Sequence, residues 1–244
     1  MNAGVVVEES RLALSLPIGR GPRKTIELNK KDLHPALTFA NRRTDAVAEA
    51  EIASYQSIAE NLLRDDRWQP RQVFVSSPAA GDGKTSTAFN LAWALSMQQK
   101  SVLLIELNFA RPRFRSVLGD LRIRYGLEGA LQGSAKPEDS VFSLGDSGLH
   151  VSAVRDALDK TGIKRRLPLL ANFIGWAAES YEWLILDCPP VLSPAWNGWF
   201  RENASPVLMV VRAHKTALLE VRKAAQQLGP NLKGTLLNDS DRTQ

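Results

Sequence analysis

Residues 73–95 read VFVSSPAAGDGKTSTAFNLAWAL, and this segment determines the fold of the chain. It opens with an apolar run typical of a buried strand and continues into a turn with two glycines. It ends in a stretch with helical apolar spacing at Phe89, Ala92 and Trp93. Amide groups of such a turn and of the following helix N-terminus converge on a single anion. The segment therefore predicts an α/β protein with a phosphate-binding loop.

The loop carries the residue types that a nucleotide site needs. Lys84 is expected to bridge the β- and γ-phosphates, and the Thr85 hydroxyl to coordinate Mg²⁺. The expected cofactors are ATP or ADP and Mg²⁺. Pro78 stands where the pattern G-x-x-x-x-G-K-[ST] requires its first glycine, so a capped surface turn is the alternative. The predicted nucleotide-binding residues in this segment are Gly81, Asp82, Gly83, Lys84, Thr85 and Ser86.

Apolar runs of strand length recur along the rest of the chain. They are SVLLIEL, GLHVSAV, EWLILDC, PVLMVVR and KGTLLN, with helical patterns near residues 167–179 and 216–228. Continuous apolar strands separated by helices predict an α/β fold with a doubly wound, mostly parallel sheet and helices on both faces. In such a sheet, ligands bind at the carboxyl ends of the strands.

The sequence before the loop divides into two parts. Residues 1–44 mix Pro, Gly, Arg and Lys without a sustained period, which indicates an extended N-terminal arm or linker. Residues 45–64 are rich in Ala, Glu and Leu and predict a helix that leads into the domain. We expect residues 45–244 to form one P-loop nucleotide-binding domain that includes this helix.

The composition argues against disulfide-linked, histidine-ligated metal and membrane-spanning proteins. The 244 residues are 44% hydrophobic and 23% charged, and the net charge of +5 is spread too thinly to indicate one anionic partner. The single cysteine, Cys188, excludes an internal disulfide, and the three histidines lack metal-ligand spacing. The apolar runs are shorter than the roughly 18 to 20 residues of a membrane helix. We expect a cytoplasmic protein with no transmembrane segment, whose membrane association would be peripheral at the inner face.

A second acidic position follows from YEWLILDCPPVL, residues 181–192. Four apolar residues lead to Asp187, and Pro189 and Pro190 end the predicted strand. In P-loop proteins a carboxylate at the end of a neighbouring strand completes the Mg²⁺ shell. Asp187 is therefore predicted as a metal ligand; the alternative is a loop aspartate that caps the following segment. Cys188 is expected to be a small packed residue.

Taken in order, the motifs resemble those of the bacterial tyrosine autokinases of capsule and exopolysaccharide synthesis, P-loop proteins related to the MinD/ParA group. The resemblance runs from about His34 to Asn238. It comprises SSPAAGDGKTSTAFNLA, KSVLLIELNFARPRF, YGLEGALQG, YEWLILDCPPVL, VLMVVRAHKT and LKGTLLN. It implies a P-loop fold and a location in the cytoplasm. It also implies a partner, the cytoplasmic end of a membrane chain-length (co-polymerase) protein. Nucleic acid is not an expected partner, and a homo-oligomer is compatible with the family.

The resemblance also assigns site residues. Its second-strand motif carries two aspartates one residue apart, which hold the metal and help activate the attacking tyrosine. Glu106 and Asn108 occupy these positions here. Asn108 cannot act as a base and binds Mg²⁺ weakly. The implied catalytic residues are Lys84, Asp187 and Glu106, and the implied metal ligands are Thr85, Asp187 and Glu106. Asn238 matches a position that contacts the base in related ATPases, although an Asn there is also an ordinary turn residue.

Three further departures from the family pattern concern assembly and phosphorylation. Ala53, Gln56 and Ala59 stand where a Glu and two Arg join neighbouring subunits into a ring. The chain ends in LLNDSDRTQ instead of a tyrosine cluster, and the aspartate expected after the two prolines is replaced within SPAWNGWF. The resemblance therefore predicts that nucleotide binding is retained while catalysis and ring assembly are weakened.

Three functions stay open. The favoured one is an ATP-binding but catalytically weak or inactive pseudokinase that serves polysaccharide synthesis or export as a regulatory or scaffold subunit. The second is an active ATP-dependent protein-tyrosine kinase that phosphorylates a partner. The third is a MinD/ParA-like ATPase switch, against which residues 77–80, SPAA, lack the signature lysine of that group.

Overall fold

A computed structural model of the chain describes residues 25–26, 46–118, 123–144, 148–196 and 198–238. Eight strands within these ranges form one sheet. They are β1 (Thr25–Ile26), β2 (Gln72–Ser76), β3 (Val102–Glu106), β4 (Phe142–Leu144), β5 (Leu149–Ser152), β6 (Trp183–Asp187), β7 (Val207–Arg212) and β8 (Leu232–Asn238). Their order is β1-β4-β5-β3-β6-β2-β7-β8, and β4 with β5 is the one antiparallel pair among them. The predicted doubly wound, mostly parallel sheet is confirmed.

Seven α-helices connect and cover the strands in the described ranges. They are α1 (Ala46–Arg64), α2 (Lys84–Met97), α3 (Phe114–Leu118), α4 (Leu127–Leu131), α5 (Lys160–Ser180), α6 (Gly198–Asn203) and α7 (Leu218–Leu228). Helix α5 begins earlier than the predicted 167–179, because the Asp159 carboxylate accepts a hydrogen bond from the amide of Gly162 and caps the first turn. Helix α7 begins two residues after the predicted start.

The core lies on both faces of the sheet. Alternate residues of each central strand point to opposite faces, so Val73 and Val75 pack on one side while Phe74 packs on the other. Helices α1, α2 and α3 cover the first face, and α5, α6 and α7 cover the second. The central strands β2, β3, β5 and β6 are therefore buried almost throughout, as their continuous apolar runs predict, whereas the edge strand β8 is half-buried to exposed.

Helix α1 packs on α2 next to the phosphate loop. Tyr55, Ala59 and Leu62 of α1 are buried in the same core cluster as Ala88 and Leu91 of α2. Of the three positions where the resembled family carries its ring-forming charges, Ala53 is exposed, Gln56 is half-buried and Ala59 is fully buried.

The predicted arm of residues 1–44 lies outside the described residues except for β1, and the division into arm and domain stays a prediction. None of the helices in the described ranges has both the length and the apolar character that crossing a bilayer requires.

Candidate functional site

Five neighbouring strands bring the predicted site residues to one edge of the sheet. Glu106 ends β3, Asp187 ends β6 and Asn238 ends β8. Between β6 and β8 lie β2, which runs into the phosphate loop, and β7. Because all these strands are parallel, their carboxyl ends meet at the same edge.

The phosphate loop bends through two glycines with positive φ. Gly81 has φ +90 and Gly83 has φ +93, a region that side-chain-bearing residues rarely adopt. Gly83 precedes α2 directly, and a Cβ atom there would collide with the side-chain amide of Asn238. That amide donates a hydrogen bond of 3.1 Å to the carbonyl of Asp82. The last strand of the sheet thus closes on the loop, and this closure requires glycine at position 83.

Side chains and a neighbouring segment hold the front of the loop, where the first glycine is missing. The Ser77 hydroxyl donates to the carbonyl of Ala79 over 2.6 Å, and the Asp82 carboxylate accepts from the Ala79 amide over 3.2 Å. The Leu192 amide donates to the Pro78 carbonyl over 3.3 Å. Within this loop the Asp82 and Lys84 side chains are buried, whereas Gly81 is exposed.

One hydrogen bond joins the start of α2 to the end of β6. The Thr85 hydroxyl donates to Oδ2 of Asp187 over 2.7 Å. The other carboxylate oxygen of Asp187, Oδ1, is buried and has no hydrogen-bond partner among the described residues. Burial raises the pKa of Asp187 to about 6, although the charge of Lys84 and the Thr85 hydrogen bond act to lower it. An unpartnered buried carboxylate oxygen beside a hydroxyl is a suitable place for a cation.

The Glu106 carboxylate is held by backbone amides. Oε1 accepts hydrogen bonds from the amides of Arg113 and Phe114, the latter at 2.9 Å, and Oε2 accepts from the amide of Val154 at 3.0 Å. Glu106 is fully buried and lies directly beside Asp187 in the register of β3 and β6. Burial raises the pKa of Glu106 to about 8, the three amides lower it, and the neighbouring Asp187 adds to the rise. Through these hydrogen bonds, Glu106 holds the segments that follow β3 and β5 against the edge of the sheet.

The remaining predicted residues lie around this centre. Lys84, the first residue of α2, is buried, and Ser86 in the same turn is half-buried. Asn108 is buried two residues after β3, at 9% exposure. The structure thus brings Lys84, Thr85, Asp187 and Glu106 to one edge, while the Asn238 amide engages the loop backbone. The predicted roles of these residues in catalysis and binding stay predictions.

The turn after β7 is a part of the site that the sequence reasoning missed. The Thr216 hydroxyl donates to Oδ1 of Asp82 over 2.9 Å, and a guanidinium nitrogen of Arg212 donates to the Gly81 carbonyl over 3.4 Å. A signal was present in VVRAHKT, where polar and basic residues directly follow a buried parallel strand. Such residues belong at the ligand edge of the sheet.

The donor set fits a bound Mg²⁺ ion. The Thr85 hydroxyl and the free oxygen of Asp187 are hard oxygen ligands, which Mg²⁺ prefers. Within the residues that the structure describes, no three His, Cys, Asp or Glu side chains cluster as a metal cage. Mg²⁺ at nucleotide sites is held by one or two protein oxygens, with phosphates and water supplying the others. The site is therefore suited to a metal that arrives with a phosphate ligand.

Comparison with curated proteins relates the chain to tyrosine-protein kinases. YwqD of Bacillus subtilis is 26% identical over 189 residues, which are 75% of this chain and 79% of YwqD. The relatives from Klebsiella pneumoniae and Erwinia amylovora are 25% identical, and the matched parts are 32% and 29% of their lengths. The chain thus spans about a third of these longer proteins. No protein-family model matches the chain. The predicted resemblance to the tyrosine kinases is confirmed.

Solved structures with the same fold include kinase domains and cell-division ATPases. The kinase domain of the Escherichia coli tyrosine kinase ETK superposes with a TM-score of 0.72 at 22% identity, over 87% of this chain and 83% of that one. The Pyrococcus furiosus cell division ATPase MinD superposes with a TM-score of 0.60 at 22% identity, over 71% and 73%. At this identity the likeness concerns the fold, and it confirms the MinD-like P-loop architecture.

Replacing Gly83 with alanine is expected to damage the loop. A non-glycine residue at this φ costs about 1 to 3 kcal/mol of stability, and the new methyl group would displace the Asn238 amide. Thermal unfolding should show a lowered midpoint. Adding Asn238→Ala should relieve the collision but leave the backbone strain. Gly175→Ala, in open space on α5, is the control and should stabilise slightly. Equal stability of Gly83→Ala and wild type would contradict the described loop conformation.

The raised pKa of Glu106 predicts a pH-dependent stability of the protein without metal or nucleotide. Between its ordinary pKa of 4.5 and the folded value of about 8, the folded state keeps a proton that the unfolded chain has lost. The contribution of the Glu106 carboxyl to the free energy of unfolding is therefore fully present below pH 4.5 and is lost as the pH rises through about 8. Urea unfolding at several pH values should show wild type losing stability relative to Glu106→Gln across this window. A constant difference would contradict the shift, and the exposed Glu202→Gln controls for loss of a carboxylate.

Proposed function

We propose that this chain binds ATP or ADP with Mg²⁺ and is a catalytically weak or inactive relative of the exopolysaccharide tyrosine kinases. In this proposal it serves polysaccharide synthesis or export as a regulatory or scaffold subunit. One contrast at the sheet edge carries the proposal. Asp187 keeps a free oxygen beside Thr85, whereas both oxygens of Glu106 accept backbone hydrogen bonds.

The loop side of the edge supports nucleotide binding. Lys84 is buried at the first turn of α2, where unpaired amides and the helix dipole also favour an anion. Thr85 and Asp187 would hold Mg²⁺. The metal, when bound, neutralises phosphate charge. Lys84 would orient the terminal phosphates, and the glycines would let the backbone approach them.

The β3 side of the edge supports weak chemistry. A general base must reach the proton that it removes, but the Glu106 carboxylate is oriented by amides from two separate segments. Asn108, the other residue at the matching motif, carries an amide that cannot take up a proton. The chain retains groups that bind and position phosphates, while the groups that would activate a tyrosine hydroxyl are restrained or replaced.

The tyrosines of this sequence do not suit self-phosphorylation. They are Tyr55, Tyr125 and Tyr181, of which Tyr55 and Tyr181 are each 6% exposed and Tyr125 is half-buried. The proposed role is therefore directed at a partner. By analogy with the relatives, that partner is the cytoplasmic end of a membrane chain-length protein, which would place the chain at the inner face of the membrane.

An active tyrosine kinase is the second candidate. It is favoured by the names of the relatives, several of which are tyrosine-protein kinases. It also fits the gathering of Lys84, Thr85, Asp187 and Glu106 at one edge. In this case Asp187 and Glu106 would act together in the site, and the phosphate would go to a partner's tyrosine.

Replacing Lys84 with alanine tests nucleotide binding. Calorimetric titration of ATP with Mg²⁺ should show binding to wild type and a loss of about tenfold or more in the variant, because a buried charge-assisted contact to phosphate is removed. Lys223→Ala, at an exposed lysine on α7, is the matched control and should bind as wild type does. Absence of ATP binding to wild type, or equal binding to Lys84→Ala, would overturn the proposal.

Restoring the second-strand acids tests the catalytic part. With labelled ATP, Mg²⁺ and the cytoplasmic part of a co-polymerase protein, wild type should transfer little label to tyrosine. Glu106→Asp combined with Asn108→Asp should raise the transfer, because a second carboxylate and a shorter one become available. Asn108→Ala is the control and should not raise it. Transfer by wild type at the rate of YwqD, measured in parallel, would overturn the weak-enzyme proposal in favour of the active kinase.

A further inference from the structure

The turn after β7 lies against the exposed side of the phosphate loop. The ammonium nitrogen of Lys215 is 3.6 Å from the position that a Cβ atom on Gly81 would occupy. Gly81 itself is exposed, and its carbonyl accepts a hydrogen bond from the Arg212 guanidinium. Two cationic side chains from one turn therefore approach the loop at its open side.

Hydrogen bonds hold this turn in place. The Thr216 hydroxyl donates to Oδ1 of Asp82 over 2.9 Å and accepts from the Arg212 amide over 3.1 Å. The amides of Lys215 and Thr216 both donate to the Arg212 carbonyl, at 3.3 and 3.0 Å. Between them and the strand, His214 adopts the left-handed conformation with φ +58. The position of Lys215 is thus set by the buried side chain of Asp82, which belongs to the loop itself.

The ammonium of Lys215 lacks a matching anion among the described residues. Lys215 is exposed, and among the described residues its ammonium has no hydrogen bond or ion pair. The nearest carboxylate in this network, that of Asp82, is buried and already accepts from Thr216 and from the Ala79 amide. Lys84 adds a further positive charge on the same loop. Cations gathered around a loop of this shape favour a ligand with several negative charges.

We infer that Lys215 is a second phosphate-binding cation of the nucleotide site and that Thr216 positions it through Asp82. The ligand group is the phosphate chain of ATP or ADP. This inference rests on the proposed nucleotide binding and deepens it, because it assigns part of the affinity to a segment about 130 residues away from the loop in sequence. The β7 turn supplies a charge that the front of the loop, SPAA, lacks.

Removal of the ammonium tests the inference directly. Lys215→Met keeps most of the side-chain length and removes the charge, and it should weaken ATP binding about tenfold, as loss of a charge-assisted contact does. Binding of adenosine, which has no phosphate, should be unchanged. Lys223→Met on the exposed face of α7 removes the same net charge and should leave ATP binding as in wild type. Thermal unfolding of each variant shows whether the fold is intact.

The positioning role of Thr216 has its own test. Thr216→Val removes the hydroxyl at constant shape and should weaken ATP binding, whereas Thr216→Ser keeps the bond to Asp82 and should restore it. In the double variant Lys215→Met with Thr216→Val, the two losses should not add, because the hydroxyl acts through the ammonium. Full additivity would overturn the positioning role.

The outcomes separate this inference from the proposed function. If wild type binds no ATP, or if Lys84→Ala binds it as well as wild type does, the proposed function and the inference both fail. If ATP binding depends on Lys84 but Lys215→Met behaves like Lys223→Met, the inference is overturned and the proposed function stands. An equal weakening of ATP and adenosine by Lys215→Met would overturn the assignment to phosphate.

Discussion

The hydrogen bond between the Thr85 hydroxyl and the Asp187 carboxylate, at 2.7 Å, is the contact at the centre of the site. It connects the first turn of α2 with the end of β6, and the strand that leads to the loop pairs directly with β6. Asp187 is almost fully buried, so its carboxylate depends on this bond and on the nearby charge of Lys84 for stabilisation. The rest of the edge is arranged on either side of this contact.

The three buried carboxylates at this edge, Glu106, Asp82 and Asp187, differ in their hydrogen-bond partners. Glu106 accepts three backbone amides and so joins segments of the chain. Asp82 accepts one amide and one hydroxyl and so couples the phosphate loop to the β7 turn. Asp187 alone of the three keeps an oxygen without a partner among the described residues. Burying a carboxylate is costly unless it is paired, so an open oxygen on Asp187 indicates a place for a ligand, whereas Glu106 and Asp82 have structural partners.

Much of the fold follows from local sequence, and the exceptions share a cause. The central strands and the long helices have apolar patterns strong enough to be identified from the sequence alone, as the strand before Asp187 illustrates. Helices α3, α4 and α6 have five or six residues each, and β4 has three. Elements this short are marginal in isolation and form because their apolar side chains, such as Phe114 and Phe200, are buried by the sheet. Their stabilisation comes from contacts distant in sequence, which periodicity does not report.

The sequence was sufficient for the fold class, the phosphate loop, the positions of Lys84, Thr85 and Asp187, and the family resemblance, because each depends on residues adjacent in the chain. The tertiary structure alone established what the carboxylates contact. The family resemblance predicts that Glu106 is a metal ligand. In the structure its carboxylate accepts hydrogen bonds from the backbone amides of residues 113, 114 and 154. The Asp82 contact with Thr216 and the approach of Lys215 to Gly81 likewise cross about 130 residues. Parallel strands bring such residues to one edge, and only the strand order determines which of them meet.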